Sequence, residues 1–493
     1  MRRKGHSNHL EVNYLGAMET NGTKVSVRRL VAMLSGPLLY VMCAWGLDME
    51  PAQSKVVGAV LWMLVWWVTE VIPMAITALI PIILFPLAGV MTMEDICLTY
   101  SNRFVFLFLG GFLIALAMEK WNLHRRIAMR VIKSSGTSAN RIIFGFLLAT
   151  YFISMWISNT ATALMMFPIA TSVLLLLVHE KKDKGHRHFA TALMLSVAYG
   201  ASIGGIATLV GSPPNASMAG IMSKSFQINI SFFDWMQWGL PFSLVLLLGV
   251  YALMVYVLFP NRLGKFPLGK EVIDAEWRML GPVTKAQRNV FLLFVTAAVL
   301  WIFQAPVAAL LKPWGAEWSD TTVAMLVGCS FFLIPSGEGG VLLEWRDTER
   351  LPWGILLMFG GGMSLAEAFE RTGLIDVLTR HLGGMHQVPA FQVMMLMCGA
   401  GLVLTALISN IAMVNAFVPI VAATAIGLGL DPVACVIPVT MAASCDFMFP
   451  MSTPPNAIVY SSGHIRSRDM LLGGLLLNLL SLILLGVLIG LMT

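Results

Sequence analysis

The chain has 493 residues, 57% of them hydrophobic and 12% charged, with 32 Lys and Arg against 26 Asp and Glu for a net charge of +6. Soluble domains carry about 25% charged residues, so this composition cannot cover a soluble fold of such length. Apolar runs long enough to cross a bilayer as helices recur from Leu30 onward, and the short alternating segments of a spanning β-barrel are missing. The class is an all-α polytopic membrane protein.

Taken in chain order, residues 1–29 are polar and basic and read as a cytoplasmic tail, without the apolar core of a cleavable signal. About eleven spans follow, near 30–47, 54–71, 72–91, 104–119, 189–222, 238–259, 290–311, 321–335, 354–369, 432–460 and 470–492. Two further apolar stretches, 142–179 and 391–427, are interrupted midway by Ser158-Asn159-Thr160 and Ser409-Asn410. They read as re-entrant hairpins. The six cysteines show no CxxC pair or regular spacing, and the nine histidines lie outside the spans, so neither a zinc site nor a disulfide framework is expected. Nothing points to nucleic acid or an organic cofactor.

If the N-terminus is cytoplasmic and each hairpin returns to its starting face, the inside segments hold 26 Lys and Arg and the outside segments six. That excess orients the chain with its C-terminus outside. The count closes only with both hairpins re-entrant.

The chain also repeats itself. Gly110-Gly111 through Lys120 resembles Gly361-Gly362 through Arg371, and Ile157-Ser158-Asn159 resembles Ile408-Ser409-Asn410, both at an offset of 251. Ser212-Pro213-Pro214-Asn215-Ala216 and Thr453-Pro454-Pro455-Asn456-Ala457 match at an offset of 241. Residues 120–142 carry six Lys and Arg where 371–393 carries two, so the copies face opposite sides. An inverted repeat of this kind belongs to alternating-access transporters. The division is a tail (1–29), a first repeat (30–260), a cytoplasmic linker (261–289) and a second repeat (290–493). No stretch is long enough for a separate catalytic or sensor domain, which disfavours an enzyme or a membrane sensor.

The interruptions are where chemistry is expected. Each Pro-Pro pair removes backbone donors and opens its helix. Freed carbonyls suit a cation, and half-helix N-termini suit an anion. Non-helical backbone at that depth must be buried in protein or line a cavity.

At Ser158-Asn159-Thr160, Gly211-Ser212-Pro213-Pro214-Asn215, Ser409-Asn410 and Thr453-Pro454-Pro455-Asn456-Ala457-Ile458-Val459, the sequence resembles the divalent-anion/sodium symporters, over nearly the whole chain from Leu30. The resemblance implies a homodimer in the plasma or inner membrane, with a scaffold and a mobile transport domain moving as an elevator. It implies a first Na+ site at Ser154, Ser158, Asn159 and the backbone of Gly211, and a second at Thr405, Ser409, Asn410 and the backbone of Ser452. The substrate would meet Asn159, Thr160, Ser212, Asn410, Thr453 and Pro454. The implied function is Na+-coupled import of small dianions, C4 dicarboxylates such as succinate, malate or fumarate first. The alternatives are exchange of dicarboxylates or transport of citrate, tartrate or sulfate. The sequence departs from the family's pattern at Ile411, Met413 and Asn415. A further departure is Asp446, an intramembrane carboxylate with three open roles: a cation ligand, a proton carrier, or a structural group bonded to Ser444.

Overall fold

The computed structural model describes residues 27–177, 184–264, 267–375, 377 and 389–492. The tail to residue 26 and the segment 378–388 therefore lie outside the described residues. Among the described residues eight helices are long and apolar enough to cross a membrane, with shorter apolar helices beside them. No strand occurs among the described residues.

The chain begins with α1 (Val27–Gly46) and α2 (Pro51–Thr69), the latter started by Pro51, whose missing N–H costs nothing at a first turn. The stretch 72–91 is not the single span expected. It breaks into α3 (Met74–Thr77) and α4 (Ile80–Ala88), because Pro81 can only open a new helix after Leu79. Then come α5 (Met93–Tyr100), capped by Thr92, and α6 (Arg103–Lys120), capped by Asn102. The amphipathic α7 (Leu123–Ser135) leads into the first hairpin, α8 (Ala139–Ser154) and α9 (Asn159–Leu177). Two helices of 16 and 19 residues turn at Ser158, as the interrupted apolar stretch implied.

The first Pro-Pro break separates α10 (Lys184–Ala207) from α11 (Pro213–Ser225), and α12 (Phe232–Ala252) closes this half with a short π-helical turn over Leu253–Leu258. Within the linker, α13 (Pro267–Met279) lies against α7, held by Arg125–Glu276 (2.9 Å) and Lys133–Asp274 (2.7 Å) ion pairs. The expected span 290–311 also breaks, into α14 (Lys285–Ile302) and α15 (Gln304–Leu311) on either side of Phe303. After α16 (Asp320–Ser330) and a 3-10 turn (Trp345–Arg350), the second half runs as α17 (Trp353–Arg371), the hairpin α18 (Ala390–Thr405) and α19 (Asn410–Gly427), then α20 (Pro432–Ala443), α21 (Pro454–Tyr460) and α22 (Ser467–Met492).

The repeated glycines explain how the halves close up. A Cβ on Gly110 would sit 2.5 Å from the Ala324 backbone of α16, and one on Gly361 would sit 2.6 Å from the Ala78 carbonyl beside α3. Each Gly-Gly pair thus lets α6 or α17 touch a neighbour's backbone. Among the candidate spans the most enclosed is α10, buried from Phe189 to Ala207. Its Gly200-xxx-Gly204 spacing lets α8 approach until a Cβ would meet the Leu147 carbonyl at 2.8 Å and the Tyr151 carbonyl at 2.3 Å. Small residues at this spacing permit close helix contact where the hydrophobic effect cannot drive it.

Candidate functional site

That close approach places the end of α8 on α10. Ser154 Oγ lies 2.7 Å from the Ala201 carbonyl and 2.8 Å from Asn159 Oδ1 at the hairpin turn. The second hairpin builds the same unit: Thr405 Oγ1 lies 2.7 Å from the Ala443 carbonyl and 2.9 Å from Asn410 Oδ1. In each unit one hydroxyl proton faces two acceptor oxygens. A cluster of hydroxyl, amide and carbonyl oxygens short of protons is a ligand set for a hard cation.

The Pro-Pro breaks are braced by the asparagine that follows them. Asn215 Nδ2 donates to the Gly205 and Thr208 carbonyls at 2.8 and 2.9 Å. Asn456 Nδ2 donates to the Asp446 and Phe449 carbonyls, both at 3.1 Å. These two asparagines, and the carbonyls of Ala201 and Ala443, were not assigned roles from sequence. The Pro-Pro-Asn signal for the asparagines was visible. The carbonyls left no signal, because any residue supplies one.

Both hairpin turns and both breaks open on one cavity of about 890 Å³. Ser158, Asn159, Thr160, Ser212, Ser409, Asn410, Ser452, Thr453 and Pro454 all line it. Ser154, Thr405 and Gly211 stand behind its wall, buried. Gly211 is enclosed by oxygens: its Cβ position lies 2.8 Å from the Gly205 carbonyl and 3.0 Å from the Met155 carbonyl. Asp446 does not reach the cavity. Helices α9 and α19 begin at its wall, at Asn159 and Asn410, while α11 begins there at Pro213-Pro214, which carry no N–H. Unpaired amides in the first turns of α9 and α19 carry partial positive charge and attract anions. The cavity's charged side chains, Glu70, Glu119 and Arg350, come from the C-terminal ends of α2, α6 and the 3-10 turn. Beside them Lys120 pairs with Asp347 at 2.6 Å and ties α6 to that turn. Partial burial opposes the charge on Asp347, but the Glu344 amide and Lys120 outweigh it and hold the carboxyl below its ordinary value. The clasp therefore survives through the ordinary aspartate range as pH falls, and opens only below it.

The departures in the second hairpin have distinct places. Ile411 lines the cavity where the first hairpin presents Thr160, so at this pair of positions one hairpin is apolar and the other offers a hydroxyl. Met413 is fully buried, and its methyl lies 3.0 Å from the Cβ position of Gly401. Asn415 donates to the Met358 carbonyl of α17 at 2.9 Å and accepts from the Ser217 hydroxyl of α11. It lies flat on Gly362, where a Cβ would meet it at 2.4 Å. It ties both helices to the hairpin.

Residues 24–492 match the sequence profile described as "Sodium:sulfate symporter transmembrane region". The chain is 36% identical over 470 residues to the sodium-dependent dicarboxylate transporter SdcS of Staphylococcus saprophyticus, covering 93% of this chain and 90% of that one. It is 34% identical over 493 residues to SdcS of Staphylococcus aureus, covering 97% and 94%. Among solved structures it is similar in fold to the YdaH transporter of Alcanivorax borkumensis, with a TM-score of 0.53, 14% identity, and 81% of this chain and 88% of that chain covered. It is also similar to MtrF of Neisseria gonorrhoeae, described among antimetabolite efflux pumps, with a TM-score of 0.55, 12% identity, and 91% and 96% covered. With a match across nearly its whole length, and with relatives 34–36% identical over at least 90% of both chains, the chain belongs to the sodium:sulfate symporter family and is an integral membrane transporter.

Proposed function

We propose that the protein imports small dianions, C4 dicarboxylates first, driven by Na+. The observation that carries this reading is the meeting of both hairpin turns and both Pro-Pro breaks around one cavity. Each turn has a proton-poor oxygen cluster behind it. Na+ at Ser154, Ser158, Asn159 and the Gly211 backbone would neutralise one carboxylate of the substrate, and Na+ at Thr405, Ser409, Asn410 and the Ser452 backbone the other. The substrate would be held between them by Asn159, Thr160, Ser212, Asn410, Thr453 and Pro454. The SdcS relatives are named as sodium-dependent dicarboxylate transporters, which supports both the ion and the substrate class.

Uptake into proteoliposomes tests this directly. Succinate is expected to accumulate above its equilibrium level only with an inward Na+ gradient, with citrate and sulfate weaker. Accumulation without Na+, or only into vesicles preloaded with dicarboxylate, would replace import by another cation or by exchange.

The protein works, on this reading, as a homodimer in which the hairpins, α10, α11, α20 and α21 form a mobile transport body and the remaining helices a scaffold. With the N-terminus cytoplasmic and the C-terminus outside, the rim formed by Glu70, Glu119 and Arg350 faces the cytoplasm, and the cavity is inward-open. Single cysteines check the orientation, in a background lacking the six native ones. Exposed positions Lys184 and Pro389 flank the two hairpins. Lys184→Cys is expected to label only from the cytoplasm and Pro389→Cys only from outside. Labelling of both from one face would end the inverted arrangement.

A further inference from the structure

The two Pro-Pro breaks are not equal. In the first half α10 continues to Ala207 and only 208–212 is unwound, whereas α20 stops at Ala443 and the chain runs without helix over 444–453. The longer segment is carefully held. Tyr199 donates its hydroxyl to the Phe447 carbonyl at 3.2 Å. Asn456 holds the carbonyls of Asp446 and Phe449. Asn478, with its amide oriented to suit its acceptors, donates to the Cys445 carbonyl at 3.0 Å.

Against that background, four oxygens of the same region have no partner: both carboxyl oxygens of Asp446, Asn456 Oδ1 and Ser444 Oγ. All three residues are 0% exposed. The structural bond to Ser444, one of the three roles left open for Asp446, is therefore not made. The Ser452 hydroxyl lies beside Asp446 but is directed to the Phe449 carbonyl at 2.7 Å. The ion pairs among the described residues do not include Asp446. At the offset of the Pro-Pro repeat, Asp446 corresponds to Gly205, which has no side chain, so the first half lacks this group.

A buried carboxylate without donors is costly to keep charged unless a cation joins it. Asn456 can supply an oxygen because its amide nitrogen is already spent on the backbone. Carboxylate, amide and hydroxyl oxygens are the donors a hard cation takes, and sulfur or imidazole donors are not needed. We propose that Asp446, with Asn456 Oδ1 and Ser444 Oγ, forms an additional Na+ site behind the cavity wall, separate from the two at the hairpin turns.

The inference rests on the Na+-coupled reading and predicts its stoichiometry. Two Na+ balance a dianion, so transport through the hairpin sites alone is electroneutral. An additional Na+ carried in on Asp446, with the carboxylate returning bare, moves one net positive charge inward per cycle. The test is the Na+-to-succinate ratio, obtained from reversal potentials in proteoliposomes, with pH profiles measured alongside. The wild type is expected to carry one more Na+ than the substrate has charges and to be driven by an inside-negative potential. Asp446→Asn is expected to lose one Na+ from the ratio and to become insensitive to potential, while Asp446→Glu keeps both. An unchanged ratio and potential dependence in Asp446→Asn overturns the proposal. So does a flattened pH profile with the ratio intact, which would assign a proton instead. If Asp446→Asn does not fold, Ser444→Ala decides: a severalfold rise in the Na+ needed for half-maximal rate supports the site, and no change overturns it. Uptake by the wild type that ignores Na+ altogether would sink the coupled reading itself, a distinct result.

Discussion

Asn159→Ala and Asn410→Ala are each expected to abolish concentrative succinate uptake while the protein remains folded in the membrane. Each side chain touches two partners on this reading. Its Oδ1 belongs to the oxygen cluster shared with Ser154 or Thr405, and the residue itself lines the cavity. A hydrogen bond to a charged group is worth about 1.5–3 kcal/mol. Losing the hydrogen bond to the anion alone therefore costs about 1.5–3 kcal/mol, or roughly 10- to 150-fold in affinity, and loss of the cation contact adds to it. Because cation and anion are coupled, the Na+ needed for half-maximal rate should rise with the loss of rate. Normal uptake with normal Na+ dependence in both variants would remove the proposed site.

A single methyl group provides the second large effect. Gly205→Ala places a Cβ 2.5 Å from Asn159 Oδ1, 3.0 Å from its Nδ2 and 3.1 Å from its Cγ. The amide must turn away, and the 2.8 Å bond to Ser154 stretches beyond hydrogen-bond range. Gly205 lies inside α10, where alanine favours the helix by about 0.8–1.0 kcal/mol. That gain offsets part of the local overpacking cost of about 1–3 kcal/mol, so the variant is expected to remain folded, yet to need about tenfold more Na+ for half-maximal uptake, the equivalent of about 1.4 kcal/mol. Gly490→Ala is the control, since nothing lies within 4 Å of its Cβ position, and its uptake should be unchanged. Comparable Na+ dependence in the two variants would place the cation away from the first hairpin turn.

The sequence alone determined whatever depends on local chemistry. Low charge and long apolar runs required a membrane protein. The polar turns at Ser158-Asn159-Thr160 and Ser409-Asn410 fixed where α8 gives way to α9 and α18 to α19, because such residues end one helix and cap the next. The paired prolines fixed the starts of α11 and α21 for the same local reason. Since each interruption occurs twice in order, the residues that meet at the cavity could be named before their distances were known. Tertiary structure decided the rest. The stretch 72–91 looked continuous because both short helices are apolar along their length, so composition alone shows no break between them. The Ala201 and Ala443 carbonyls became part of the oxygen clusters only because Gly200 and Gly204, or the meeting of α18 with α20, bring two backbones together. Asn415 read as an oddity until Gly362 was seen to make room for it against α17. Asp446 and Ser444 are two residues apart in sequence, yet early unwinding of α20 leaves each without the other. Where a helix ends is set by the neighbours that capture its carbonyls, here Tyr199, Asn456 and Asn478, and those neighbours are distant in the chain.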